Sequence, residues 1–123
     1  MKNIVNVQPF DETHSYNVLA GVTQVIYTIT VPSKCILRMK AFANYTDTPA
    51  AIGTGLTWSI QRNGIGVRPY DLILDIIGQS YQPELIAMET LKGGDVLTVL
   101  TVNGTINPAL SGARIVFDLE GVR

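Results

Sequence analysis

Four runs of this chain alternate apolar and polar side chains with a period close to two, and that spacing selects strands over amphipathic helices. In "QVIYTITV", Val25, Tyr27, Ile29 and Val31 share one face, with Thr28 and Thr30 opposite. In "KCILRMKAFANY", Cys35, Leu37, Met39, Ala41 and Ala43 share a face, and Arg38 and Lys40 point away. "GLTWSIQR" turns Leu56, Trp58 and Ile60 inward and Thr57, Ser59 and Gln61 outward. "ARIVFDLEG" sets Ile115, Phe117 and Leu119 against Arg114 and Asp118. "DVLTVLTVNG" is apolar on both faces (Val96, Leu97, Val99, Leu100, Val102), as a central strand is.

Punctuation between the runs sets the architecture. Pro32-Ser33 breaks the first ladder and permits a turn, so the flanking runs read as adjacent strands. "NIVNV" and "YNVLAG" are weaker strands, and "PELIAMETL" fits a short helix or a strand. The "KGGD" that runs straight into Val96 favours strand, tight turn, strand. Residues 45–55 read as a long connection. The expected fold is all-β: a single antiparallel β-sandwich of jelly-roll or Greek-key type with about eight short strands. A closed barrel is the next choice. Residues 1–123 form one domain, with 1–16 as an extended N-terminal arm.

Charge narrows the function. Only 15% of residues are charged against 46% hydrophobic, so Thr, Asn, Gln, Ser and Gly must supply much of the surface. Such an exterior suits β-structure and a protein packed against other subunits. Nine Lys and Arg against ten Asp and Glu, with no basic run, argue against nucleic acid. The single Cys35 excludes an intrachain disulfide and, alternating with Leu37 and Met39, reads as a small buried hydrophobe. No apolar run follows Lys2 and no segment reaches bilayer length, so neither a signal peptide nor a membrane partner is expected.

Each candidate for chemistry fails a spacing test. "NGIGVRP" has Pro69 where a dinucleotide fingerprint needs its third glycine, whereas Asn63-Gly64 suits the two positive-φ positions of a type I′ hairpin turn. "DETHSY" groups Asp11, Glu12 and His14, but His14 is the only histidine, so a cupin-like metal centre is excluded and a solvated segment is the plainer reading. Asp71, Asp75 and Glu84 offer a carboxylate pair for glycoside hydrolysis, yet acids bordering an apolar run are commonplace. No Ser-His-acid set assembles from one histidine. No enzyme, cofactor or metal is expected. Trp58 alternates with Leu56 and Ile60 and belongs to the core. What remains is "VRPYDLILDIIGQSY", too apolar for a free loop. It packs on its own sandwich or on a neighbour, and Arg68, Tyr70, Leu72, Ile73, Ile76, Ile77 and Tyr81 are its candidate contact residues.

The run "YTITVPSKCILRMKAFANYT" resembles a recurring pattern in small virion proteins of tailed bacteriophages, where a strand ending in Val-Pro leads into one ending at Asn and a polar loop. "WSIQRNG" and "LKGGDVLTVLTVNG" fit the same scheme, a strand to an Asn-Gly turn and then a Gly-Asp hairpin entering a β-rich strand. The resemblance spans most of residues 24–104 at the level of pattern and implies a structural role. Such proteins decorate or cement capsids or form spikes and fibre heads, usually as symmetric oligomers, often trimers. It implies no catalytic residues. The expected partners are a major capsid protein or other virion subunits and further copies of the chain, with a trimer favoured, on a particle assembled in the host cytoplasm. The alternative is a receptor- or glycan-binding jelly-roll module of a spike or tail fibre.

Overall fold

The first strand pairs with the last, the second with the second-last, and so inward to a two-residue turn. The computed structural model describes residues 4–79 and 82–122. In chain order the strands are β1 (Ile4–Val18), β2 (Thr23–Thr30), β3 (Cys35–Thr46), β4 (Leu56–Arg62), β5 (Ile65–Gly66), β6 (Glu84–Leu85), β7 (Leu91–Lys92), β8 (Val96–Asn103) and β9 (Ala109–Val122). One sheet runs β1-β9-β3-β6, with β7 also on β3, and the other runs β2-β8-β4-β5. Every strand pair is antiparallel. The nested pairs make one long hairpin whose successive pairs fall in opposite sheets, which is a jelly roll. Its tip is Asn63-Gly64, with φ of 54° and 81° as a type I′ turn demands.

The core lies between the inner faces. Leu56, Trp58 and Ile60 of β4, Leu97 and Val99 of β8, and Ile115 and Phe117 of β9 are all fully buried there. Two bulges change the phase of the alternation. A register shift between Val25 and Tyr27 turns Ile26 inward and leaves Val25 43% exposed. Another between Met39 and Ala41 brings Phe42 opposite Ile115 in the core. Ala41 and Ala43 then pair with Val116 and Arg114 on the outer face. The single-phase reading of β2 and β3 is corrected accordingly, because an extra residue in a strand inverts the parity of everything beyond it.

Two connections also differ from expectation. β2 and β3 do not pair, and neither do β7 and β8. Each tight turn carries the chain from one sheet to the other instead. The two crossings brace one another: Gly94 N–H donates to Val31 C=O at 2.9 Å, and Val31 N–H to Asp95 C=O at 2.8 Å. The N-terminal segment read as an arm is, over its described residues, β1, a 15-residue strand in register with β9. Its polarity suits an edge strand, which is half solvated, while Phe10 stacks on Phe117 at 4.9 Å.

At the turn end, Asp95 ties these pieces together. Its carboxylate accepts from Lys92 N–H at 3.0 Å, Asn63 Nδ2 at 3.1 Å and Arg62 Nε at 3.1 Å. The Lys92 N–H first, then the Asn63 amide, holds its pKa below the usual carboxylate range. The Arg114 guanidinium does the same for Asp11. A folded pKa below the unfolded one adds stability that is complete above about pH 4 and lost as pH falls through the folded value. The urea midpoint, followed by the fluorescence of the sole, buried Trp58, is therefore expected to fall below about pH 4, and Asp95→Asn to remove part of that fall. A midpoint unchanged down to about pH 3 would contradict this linkage.

Candidate interaction surface

After β5 the chain does not continue as a regular strand. Residues 67–73 follow the edge of β4: Val67 N–H donates to Ile60 C=O, Ile60 N–H to Tyr70 C=O, and Trp58 and Ile73 exchange a pair of backbone bonds at 2.8 and 3.1 Å. The segment then crosses to the other sheet over Asn44. This side chain, wholly buried at the end of β3, accepts from Ile77 N–H at 2.6 Å and donates to Asp75 C=O at 3.0 Å. Gly53 lets the crossing approach, since a Cβ there would stand 3.0 Å from Leu74 O.

The candidate contact residues thus separate. Ile73 is 4% exposed and belongs to the core rather than to a contact surface. Tyr70 and Ile77 are half-buried and pack against that core. Arg68, Leu72 and Ile76 are exposed, and so is Leu74, which periodicity did not single out. Tyr81 lies outside the described residues. The excursion is half lid over its own sandwich and half exposed crest.

That crest is one part of a larger surface. The connections 19–22, 47–55, 74–79 and 104–108 all lie at the same end of the roll, touching in sequence. Gly21 N–H donates to Asn103 C=O, Gly104 N–H to Gly55 C=O, and Gly53 abuts Leu74. Buried Asn103 is the hub. Its Nδ2 donates to Val18 and Asn107 carbonyls at 2.9 Å, and its Oδ1 accepts from Thr105 N–H and Oγ1. These four connections contain no Lys, Arg or His, and their only acids are Asp47 and Asp75. They expose Leu19, Leu74, Ile76 and Ile106, the last at 91%. Asn44 and Asn103 both close a strand on its inward parity just before a polar loop, the one sequence signal that points to this end.

The two outer sheet faces contrast. On β1-β9-β3 the charges are paired: Arg114 with Asp11 at 2.7 Å, Arg38 with Glu120 at 3.1 Å, Lys40 with Asp118 at 3.4 Å. On the other sheet, β8 presents Val96, Thr98, Leu100 and Val102. Register sets Val25 and Thr28 of β2, and Ser59 and Gln61 of β4, beside Leu100 and Thr98. Among the described residues, no outward position of β2, β8 or β4 carries a charge; Asp71 stands over Gly66, at the β5 edge of the same face.

Of the catalytic and metal candidates, only Glu12 and His14 are brought together among the described residues, Oε2 to Nε2 at 3.4 Å. Strand parity places Asp11 on the outer face with Arg114, while Glu12 and His14 point the other way, His14 stacking on Tyr27 at 5.5 Å. Asp71, Asp75 and Glu84 are exposed. Among the described residues no three of His, Cys, Asp and Glu cluster for a metal ion. Cys35 is half-buried against the core. Comparison with known proteins finds no matching family model and no matching curated protein.

Proposed function

We propose that this chain is a structural virion protein of a tailed bacteriophage, decorating or cementing the capsid through subunit contacts. The observation that carries the reading is the loop end: apolar, free of basic residues, and held in shape by Asn44 and Asn103. A contact surface ordered before binding loses less entropy on docking. A partner surface of apolar residues with Lys or Arg near Asp47 and Asp75 would complement it. The jelly roll hosts viral capsid domains among others, which is support by analogy of fold. The sequence pattern resembling small virion proteins points the same way. The reading assigns no catalysis and places the protein on the particle, with the major capsid protein as its expected neighbour.

The test is the composition of purified particles of the phage whose genome encodes the chain. The protein is expected in stoichiometric copies, and Leu74→Glu with Ile76→Glu is expected to lower its occupancy roughly tenfold or more, by placing charge at the centre of the contact. Abundance in infected cells together with absence from particles would end the proposal.

The glycan-binding alternative has one observation in its favour. A shallow groove on the excursion has Tyr70 and Asp75 in its wall, and an aromatic beside a carboxylate is a workable sugar contact. A glycan array without hits, or hits indifferent to Tyr70→Ala, removes it.

A further inference from the structure

We infer that the uncharged outer face of the β2-β8-β4 sheet is where a second copy of this chain packs. β2 and β8 contain no charged residue at all, and β4 has only Arg62, at its last position. The opposite sheet's outer face carries Asp11, Arg38, Lys40, Arg114, Asp118 and Glu120, which pair among themselves. A sheet face meant for water ordinarily carries Lys, Glu or Arg on alternate positions. Here those positions on β8 are Val96, Thr98, Leu100 and Val102.

Charge decides between a second copy and a foreign partner. In a two-fold contact each patch meets itself, so any charge near the axis confronts its own kind. A face with none avoids that conflict, whatever the rotation. A foreign partner would gain register and specificity from charges, and none is offered. Two central hydroxyls also tolerate being dried. Thr28 Oγ1 donates to Leu97 C=O at 3.1 Å and lies 3.3 Å from Thr98 Oγ1, so both hydroxyls have partners within the sheet.

The area sets the size class of the contact. Three strands about 4.8 Å apart, two of eight residues and one of seven, at about 3.3 Å per residue present a footprint of roughly 14 by 26 Å. With side-chain relief, this is on the order of 500 Å² of accessible surface per copy, or about 1,000 Å² for the pair, the lower edge of specific interfaces. Interfaces of this size include the weak, transient class, and a micromolar-order association is expected. Its geometry is two-fold, in contrast to the trimer implied by the sequence resemblance.

Sedimentation velocity on the full chain, from about 1 to about 300 μM, reads this out. The wild type is expected to dimerise, and Thr98→Lys to weaken the dimer roughly 30-fold or more. Thr98→Val, which keeps the face neutral, and Lys40→Glu, on the other sheet, should both leave it intact. Circular dichroism and the Trp58 emission of each variant confirm folding. A wild type that stays monomeric across the range overturns the proposal, as does Thr98→Lys associating like wild type. The proposal deepens the virion reading by naming the contact between copies, and the two fail separately. A monomer found in particles defeats only the face, and a dimer missing from particles defeats only the virion.

Discussion

Replacing Gly112 by valine is expected to cost about 3 kcal/mol or more and to lower the melting temperature by well over 10 °C. Strand propensity alone predicts the opposite sign, because valine suits a strand better than glycine does. Sterics decide. Gly112 lies on β9 between Ser15 of β1 and Tyr45 of β3. A Cβ there would collide with the His14 carbonyl and come within 2.8 Å of the Tyr45 ring and hydroxyl. Tyr45 lies across the glycine and donates its hydroxyl to His14 C=O at 3.3 Å. The missing side chain is what lets β3 reach over β9 to hold edge strand β1. Thermal denaturation followed at Trp58 measures the loss. Gly112→Ala should already show most of it, and adding Tyr45→Ala should recover only part, since the backbone carbonyl of His14 still stands in the way. A Gly112→Ala protein as stable as wild type would refute this packing.

The same glycine shows where sequence reasoning stops. Nothing in "LSGARIVF" says that Gly112 underlies a tyrosine 67 positions earlier, because that contact exists only once β3 and β9 pair. Features set within a few residues were legible: the alternation of β4 and β9, the buried Trp58, and the Asn63-Gly64 turn. Features set by pairing were not. A tight turn at Pro32 or at Gly93-Gly94 looks the same whether the chain returns within a sheet or crosses to the other, so β2 and β3 read as neighbours. The bulges at Ile26 and Lys40 have no local signature and invert the parity of the strand residues beyond them. The polar segment "QPFDETHS" read as an arm because edge strands need little apolar residue. Much of the excursion's apolar content proved to be internal packing, and among its described aliphatic residues the exposed ones are Leu72, Leu74 and Ile76.

That crest depends on one buried amide, and Asn44→Ala is expected to cost about 2–4 kcal/mol. The substitution leaves Ile77 N–H and Asp75 C=O without their partner in a part-buried setting, at about 1–3 kcal/mol each to the extent that water is kept out. The backbone bond from Asn44 N–H to Ile77 C=O, at 3.2 Å, survives, so the crossing loosens rather than detaches. Two readouts then separate. Global stability falls, and hydrogen exchange at Ile77 rises further than at Trp58, because the crossing opens locally before the sandwich does. Asn44→Asp sharpens the test. A carboxylate still accepts from Ile77 N–H but cannot donate to Asp75 C=O, so it should retain part of the stability and little of the order at Asp75. If the loop end is the contact surface, Asn44→Ala should also weaken particle binding while leaving the β2-β8-β4 face, and any dimer made through it, unchanged. Equal protection at Ile77 in the variant and the wild type would mean that the excursion is held by its apolar side chains, Ile73 and Ile77, and not by the asparagine beneath it.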